Sequence, residues 1–465
     1  MTKTFGTKQL ISIAFSIAII LFGRFAAPLD ILSAEGNTAL ALMLGLVVLL
    51  LTEALPAGLI GIIGIVVLPL LGLVPTLGAA AALFGNQFFF YLCACYAIAG
   101  VMEKSPLSKR ILYFLLKAFR NSVKGMITAM ILATAILSTF ISNFPAAILM
   151  SILGKQFLSM FPDEKDRRQT SKSLMIGIVI GVAIGGIATP VGNSCMILAS
   201  TYLSEAGYPV SFLRWMVFGV PVAAAMFFFT KMFLFKIFPP APLDDDTRAQ
   251  FLADMKAQIP EKLGGREWIT LTILTATFIC WVMNFNLMLV TCICGILLLF
   301  PGFGLLTWNE FQKQAGWGTT ILICSLCAVV GVLQSTGVLD WLLSLLSAAI
   351  PAGAGLFPII LVLGLFTALI VIVMPNGPVL VTVLGTTIIA LASQMGVHPA
   401  VLLLGFAFFT TFGFIFPTES LALAIYDGGS NFDAKDLPKI GLPLSIFATL
   451  VTAAWLPVCA KLFGM

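Results

Sequence analysis

Apolar runs dominate the chain, and polar positions interrupt them at only a few places. Leu10 to Ala27, Thr38 to Leu51 and Leu287 to Phe300 are almost unbroken apolar stretches. About 20 apolar residues cross the hydrocarbon core as a helix, and shorter runs pair or re-enter. In lipid a spanning segment must satisfy its own backbone, and no alternating barrel pattern is visible along this chain. The pattern predicts an all-α polytopic membrane protein of about eleven transmembrane helices with two re-entrant hairpins. Composition agrees: 60% of the 465 residues are hydrophobic and 10% charged, where a soluble domain carries about 25% charged residues. The first apolar segment has no small-residue cleavage site after it, so it reads as a retained helix.

The pattern also repeats. GNQFFFYLCACYAIAGVMEKSPLSKRIL from Gly85 aligns with GWGTTILICSLCAVVGVLQSTGVLDWLL from Gly316 at a constant offset of 231. Further on, Ser142-Asn143-Phe144-Pro145 corresponds to Pro375-Asn376-Gly377-Pro378, and the segment 185–194 to 412–421. Matches in one order point to two repeats. Charge then orients them. Lys104, Lys109, Arg110, Lys117, Arg120 and Lys124 face a single acid, Glu103, in the first connector, whereas Gly331 to Gly355 holds no Lys or Arg and one acid, Asp340. Cytoplasmic loops are enriched in Lys and Arg, so one connector is expected inside and its counterpart outside, which makes the repeats inverted.

The expected organisation is an N-terminal transmembrane helix (1–35), a first repeat (36–238), a cytoplasmic linker (239–266) and a second repeat (267–465). Lys3 and Lys8 put the N-terminus in the cytoplasm, and counting spans puts the C-terminus outside a cell (plasma or inner) membrane.

Each half contains two places where helix should break at membrane depth: the tips 142–145 and 374–378, and the breaks 185–194 and 416–420. Proline lacks an N–H and disfavours helix for the residue before it. Upstream of the first tip, Thr134, Ser138 and Ser142 share a helical face. GGIATPVGNS (Gly185 to Ser194) puts three glycines, a proline and three polar side chains in mid-membrane, where unwound backbone is tolerated only if buried or lining a wet cavity. Its free carbonyls suit Na⁺, and the N-terminus of the following helix suits an anion. A pair of proline-kinked helices is the competing reading. In the second half, Glu419 lies inside the apolar run from Ala400 to Ile425, a functional position by default; a carboxylate reaching an interface beside Asp427 is the alternative. Glu53 reads as a cap or interface anchor at a membrane face.

Other chemistries find little support. Cys324 and Cys327 form a CxxC on a membrane helix, and the nine cysteines read as small buried apolar residues. One histidine, His398, offers neither a nucleophile–base pair nor a metal cluster, so an enzyme is not expected. No basic stripe with interleaved aromatics suggests nucleic acid.

Thr52-Glu53-Ala54-Leu55-Pro56 with LPLLGLVPT, MEKSPLSKRI (Met102 to Ile111), Ser142-Asn143 and GGIATPVGN together resemble the divalent anion/sodium symporter family over nearly the whole chain. The resemblance implies a homodimer with a scaffold domain and an elevator-type transport domain that carries di- or tricarboxylates or sulfate. Matched position by position, Ser138, Ser142, Asn143 and the backbone at Gly186 would form a sodium site, and Asn376 would belong to a second. Asn193 and Ser420 fall at substrate-contacting positions, and Ser142, Asn143 and Asn376 join them as substrate-binding candidates. The chain departs from the family where Phe144 and Gly377 replace tip threonines, Pro375 a tip serine, and Ser194-Cys195 a Pro-Pro pair. The expectation is a secondary active transporter of a small organic anion, a dicarboxylate first, coupled to at least one Na⁺. The alternative is an exchanger or proton-coupled carrier in which Glu419 replaces the second sodium.

The charge asymmetry can be tested directly. A cysteine at Lys109 should react with an impermeant maleimide only from the cytoplasm, and one at Asp340 only from outside. Labelling of both from one side removes the inverted arrangement.

Overall fold

A computed structural model of the chain describes residues 7–26, 32–52, 54–84, 87–140, 143–338, 340–341, 344, 355–373, 377–413, 425, 430–433 and 435–465. These residues are helical, with no strand among them. In chain order the α-helices are α1 (Thr7–Phe25), α2 (Ala34–Leu51), α3 (Ala57–Leu70), α4 (Leu77–Phe84), α5 (Gln87–Lys104), α6 (Leu107–Ala118) and α7 (Val123–Ser138). They continue with α8 (Asn143–Leu158), α9 (Glu164–Gly186), α10 (Ser194–Glu205), α11 (Phe212–Ile237), α12 (Asp245–Ala257), α13 (Gly265–Val282) and α14 (Leu287–Leu299). The last are α15 (Trp308–Gln314), α16 (Trp317–Ser335), α17 (Leu356–Val373), α18 (Gly377–Gln394), α19 (Pro399–Thr411) and α20 (Leu437–Phe463).

Among the described residues five helices (α9, α11, α16, α18 and α20) are both long and apolar enough to cross a membrane, and eight more are apolar but shorter. The short ones have a simple geometry. α7 and α8 have 16 residues each, a rise of about 24 Å against a hydrocarbon core of about 30 Å. Side-chain caps define many starts: Ser33, Ser122, Asp163, Asn193, Ser211 and Asp244 each accept a backbone N–H from the first turn that follows. Helix boundaries recur along the chain. Ala34 and Leu51, the ends of α2, stand 231 residues before Gly265 and Val282, the ends of α13, and Lys104 and Ser335 close α5 and α16 at the same spacing.

The chain divides into two compact units, 1–92 with 316–355 and 376–403, and 93–315 with 356–375 and 404–465. Each takes segments from both halves of the sequence. In the first unit, small residues let helix backbones approach. A Cβ on Gly58 would lie 3.1 Å from the Gly318 Cα, and one on Gly61 2.9 Å from the Leu322 Cα, which brings α3 and α16 together. α1 meets α2 in the same way: Gly23 lies against Ala41, and Ser16 Oγ donates to Gly45 O at 2.8 Å. Lipid tails are as apolar as leucine, so close packing of this kind drives helix association in membranes.

In the second unit α9 lies on α7 through Gly177, Gly181 and Gly185, spaced four residues apart. A Cβ on Gly181 would stand 2.8 Å from Ile131 O, and one on Gly185 would overlap Ala135 O. α11 and α20 run antiparallel. Arg214 at the start of α11 lies 5.3 Å from the Phe463 ring at the end of α20, and Lys439 lies 5.8 Å from Phe238 at the other end. Between them Phe229 and Phe447 stack at 4.1 Å, and Trp455 Nε1 donates to Val217 O at 2.9 Å.

One end of this unit is charged. Lys172 bridges Asp433 and Asp436 at 2.8 and 2.7 Å, Gln169 donates to Pro239 O, and Arg110 pairs with the buried Glu267 at 3.0 Å while also donating to Pro260 O and Lys262 O. The linker helix α12 joins this end by burying Phe251 and Met255, with Phe251 edge-on to Phe157 at 5.2 Å. Nearby, the Lys104 ammonium and then the Thr307 N–H and hydroxyl hold the Glu310 carboxyl down at about 2. This pair is exposed, so it orders α15 more than it stabilises the fold.

Because Gly185 has no room for a side chain, Gly185→Ala should push α9 off α7 and cost about 1–3 kcal/mol. Gly78→Ala on α4, where the nearest atom is 3.7 Å away, should be neutral or slightly stabilising. Thermal melting of the purified protein separates the two.

Candidate functional site at the first pair of helix ends

Four helix ends meet in the second unit. α7 finishes at Ser138 and α8 begins at Asn143; α9 finishes at Gly186 and α10 begins at Ser194. Thr189 Oγ1 donates to Thr139 O at 2.7 Å, tying the segment after α9 to the end of α7. Ser138 is fully buried, with its Oγ 2.8 Å from Val182 O and 2.7 Å from Asn143 Oδ1. A hydroxyl carries one proton, and both neighbours are acceptors. One of the two oxygen pairs therefore has no hydrogen between its members. A hard cation among the three oxygens would resolve this, as would the Asn143 amide turned to donate through Nδ2.

Gly186 and Gly192 keep the backbone close to these side chains. A Cβ on Gly186 would stand 2.7 Å from both Asn143 Oδ1 and Asn193 Nδ2, and one on Gly192 would stand 2.5 Å from Gly186 O. Asn193 is buried, and its Oδ1 accepts the Met196 N–H at 3.1 Å as the N-cap of α10. Its Nδ2 donates to Thr411 Oγ1 at 3.4 Å.

No charged side chain occurs between Gly125 and Gly154 or between Ser173 and Ser204. The electrostatics here come from the backbone. The C-termini of α7 and α9 carry the negative ends of their helix dipoles, which favour a cation, and the N-termini of α8 and α10 the positive ends, which favour an anion. Both kinds of end fall within a few residues of Ser138, Asn143, Gly186 and Asn193.

Four of the expected site residues are thus brought together. Ser142, Asn376, Glu419, Ser420 and Glu53 lie outside the described residues. Thr134 stays out of the cluster, because its hydroxyl donates to Met130 O on its own helix at 2.6 Å. Thr411 is an addition that the sequence reading did not single out. Its signal was its place at the end of α19, just before the segment 416–420 where the sequence predicts a break. There, Gly413 sits tightly against the side chain of the buried Val371, and Ser445 Oγ donates to Phe412 O at 2.7 Å. Among the described residues no three His, Cys, Asp or Glu side chains gather as metal ligands.

Apolar helices interrupted so that their ends converge on uncharged oxygens define a multi-pass membrane transporter. The chain belongs to the citrate transporter family (CitMHS), whose family model matches residues 47–455; this accords with the resemblance to the divalent anion/sodium symporters. The sodium-dependent dicarboxylate transporter SdcS of Staphylococcus aureus (strain USA300) is 24% identical over 478 residues, covering 97% of this chain and 91% of that protein. Two solved structures share the fold. The YdaH transporter of Alcanivorax borkumensis superposes with a TM-score of 0.54 at 13% identity, over 99% of each chain. Neisseria gonorrhoeae MtrF, of a class of antimetabolite efflux pumps, gives 0.56 at 11% identity over 98% of this chain and 95% of its own.

Proposed function

We propose that this protein is a sodium-coupled secondary active transporter of a small organic anion, a dicarboxylate, working by elevator-type alternating access in a homodimer. The observation that carries the reading is the cluster of Ser138 Oγ, the Asn143 side-chain amide and Val182 O, neutral groups held within hydrogen-bond distance beside the ends of α7 and α9. Neutral oxygens beside the carbonyl ends of α7 and α9 suit Na⁺, and Ser142 and the Gly186 backbone complete the proposed set. The N-termini of α8 and α10 suit a substrate carboxylate, with Asn143, Asn193 and Ser142 contributing contacts. Asn376 and Ser420 are the proposed counterparts from the second half. The sodium dependence of the relative SdcS supports the choice of ion.

Two further observations favour an inverted repeat. α11 and α20 hold matching positions before the ends of their halves and run antiparallel, as inversion requires. The boundaries of α2 and α5 recur 231 residues on. The charged end of the second unit collects the Lys- and Arg-rich segments, so we assign it to the cytoplasm. α20 starts at that end and finishes beside the start of α11, which puts the C-terminus outside.

Uptake of labelled dicarboxylates into proteoliposomes, with and without a Na⁺ gradient, tests the reading. Gradient-driven uptake is expected, and Asn143→Ala should abolish it while the melting temperature of the protein stays within a few degrees. Parental uptake and ion dependence in that variant would exclude Asn143 from the ion site.

A second coupling mode has its own support. Val371 and Pro375 have no side-chain oxygen, and Val371 packs on Gly413, while its first-half counterpart Ser138 holds the oxygen cluster. A divalent anion moving with one sodium carries net negative charge through a low-dielectric path, a cost of several kcal/mol unless compensated. Glu419, crossing in its protonated form, would supply that compensation by moving a proton with the substrate. Glu419→Gln should then flatten the pH dependence of uptake or shift its ion requirement. Transport like the parent's at every pH and sodium concentration would leave Glu419 as an interface residue.

A further inference from the structure

Away from the helix breaks, α6 and α12 enclose a cleft of about 510 Å³. Lys117 and Arg120 line it from the α6 side and Arg248 and Lys256 from α12, with Asp245 the acid in its wall. Four cations against one acid leave a local charge of about +3. Arg248 is fixed: its guanidinium donates to Arg120 O at 3.0 Å, pairs with Asp245, and its side chain is only 12% exposed. Among the described residues Lys117, Arg120 and Lys256 make no ion pair, and all three are exposed. Like charges this close repel, and that repulsion is relieved by an anion in the cleft.

The surroundings of the cleft say which anion. α6 is a short amphipathic helix that turns Leu112 and Leu116 inward and leaves the ring of Phe114 72% exposed. Phe114 and Lys117 are three residues apart and share one face, an aromatic anchor beside a cation, which is the arrangement of a helix lying in a membrane interface. Tyr113, also in the wall of the cleft, adds a hydroxyl at the same level. A soluble anion has no use for the exposed ring, whereas a lipid would set its acyl chains against Phe114 and its phosphate among the cations.

We propose that this cleft binds the phosphate headgroup of an anionic phospholipid from the adjoining leaflet and so fixes α12, the linker between the two halves, against α6 at the membrane surface. Each basic residue near such a surface strengthens binding by about fivefold.

The full-length protein, purified and delipidated in a mild detergent, can be titrated with phosphatidylglycerol or phosphatidylcholine and followed by native mass spectrometry. Phosphatidylglycerol should be retained in preference to phosphatidylcholine. The variant Lys117→Gln/Arg120→Gln/Lys256→Gln should lose that preference, whereas Lys165→Gln/Lys313→Gln/Lys435→Gln, with the same charge change elsewhere, should keep it. Lys117→Gln alone should weaken binding by about fivefold, which serves as the readout if the triple variant does not fold. Three results would overturn the proposal: equal loss in both triple variants, no loss in the cleft variants, or displacement of the lipid by millimolar inorganic phosphate. The last would make the cleft a site for a soluble anion.

Discussion

A peptide group in hydrocarbon must find a partner inside the protein, and everything notable in this chain follows from where that rule is strained. Between Gly186 and Ser194 the backbone leaves the helix among buried residues, where water is scarce. It survives because other groups are pressed against it. Thr189 reaches Thr139 O, Asn193 caps the next helix, and Gly219 of α11 approaches Ile187 O. The glycine ladder of α9 is the precondition, since Ala135 O could not come so near a residue with a Cβ. Close packing, an open backbone and the oxygen cluster are therefore one feature seen at three scales.

That dependence fits a cluster whose described side chains, Ser138, Asn143, Asn193 and Thr411, carry no formal charge. An ionised carboxylate buried among them would be costly and would repel an anionic substrate. Helix ends offer partial charges of both signs without that cost, and they vanish if the break refolds into continuous helix. The site exists only as long as the break does.

Much of this was legible in the sequence. Hydropathy fixed the class, because few alternatives exist for a chain with so little charge. The glycines, Pro190 and Asn193 marked the break, because in an apolar run each has little other use. Ser138 was visible on the helical face it shares with Thr134 and Ser142, and Asn143 as a polar residue at the tip 142–145. The details that escaped depend on the third dimension. Thr134 shares a face with Ser138, yet its hydroxyl is consumed by its own helix, a choice that spacing does not reveal. Thr411 comes from a segment more than 200 residues away from Asn193, and Val182 contributes only a backbone oxygen, which no side-chain pattern records. Nor does periodicity disclose that the two compact units interleave segments from both halves.

The interleaving has a consequence for biosynthesis. Gly58 and Gly61 on α3 pack against Gly318 and Leu322, partners some 260 residues later in the chain. At a synthesis rate of about 5–20 residues per second, α3 waits on the order of ten seconds to a minute before its partner leaves the ribosome. During that time its small-residue groove faces lipid or the insertion machinery. A groove lined by glycine backbone is the kind of face that draws helices together in a membrane, so α3 keeps its proper partner only if no other helix enters the groove first. The smallness that permits close approach also makes the order in which helices emerge matter.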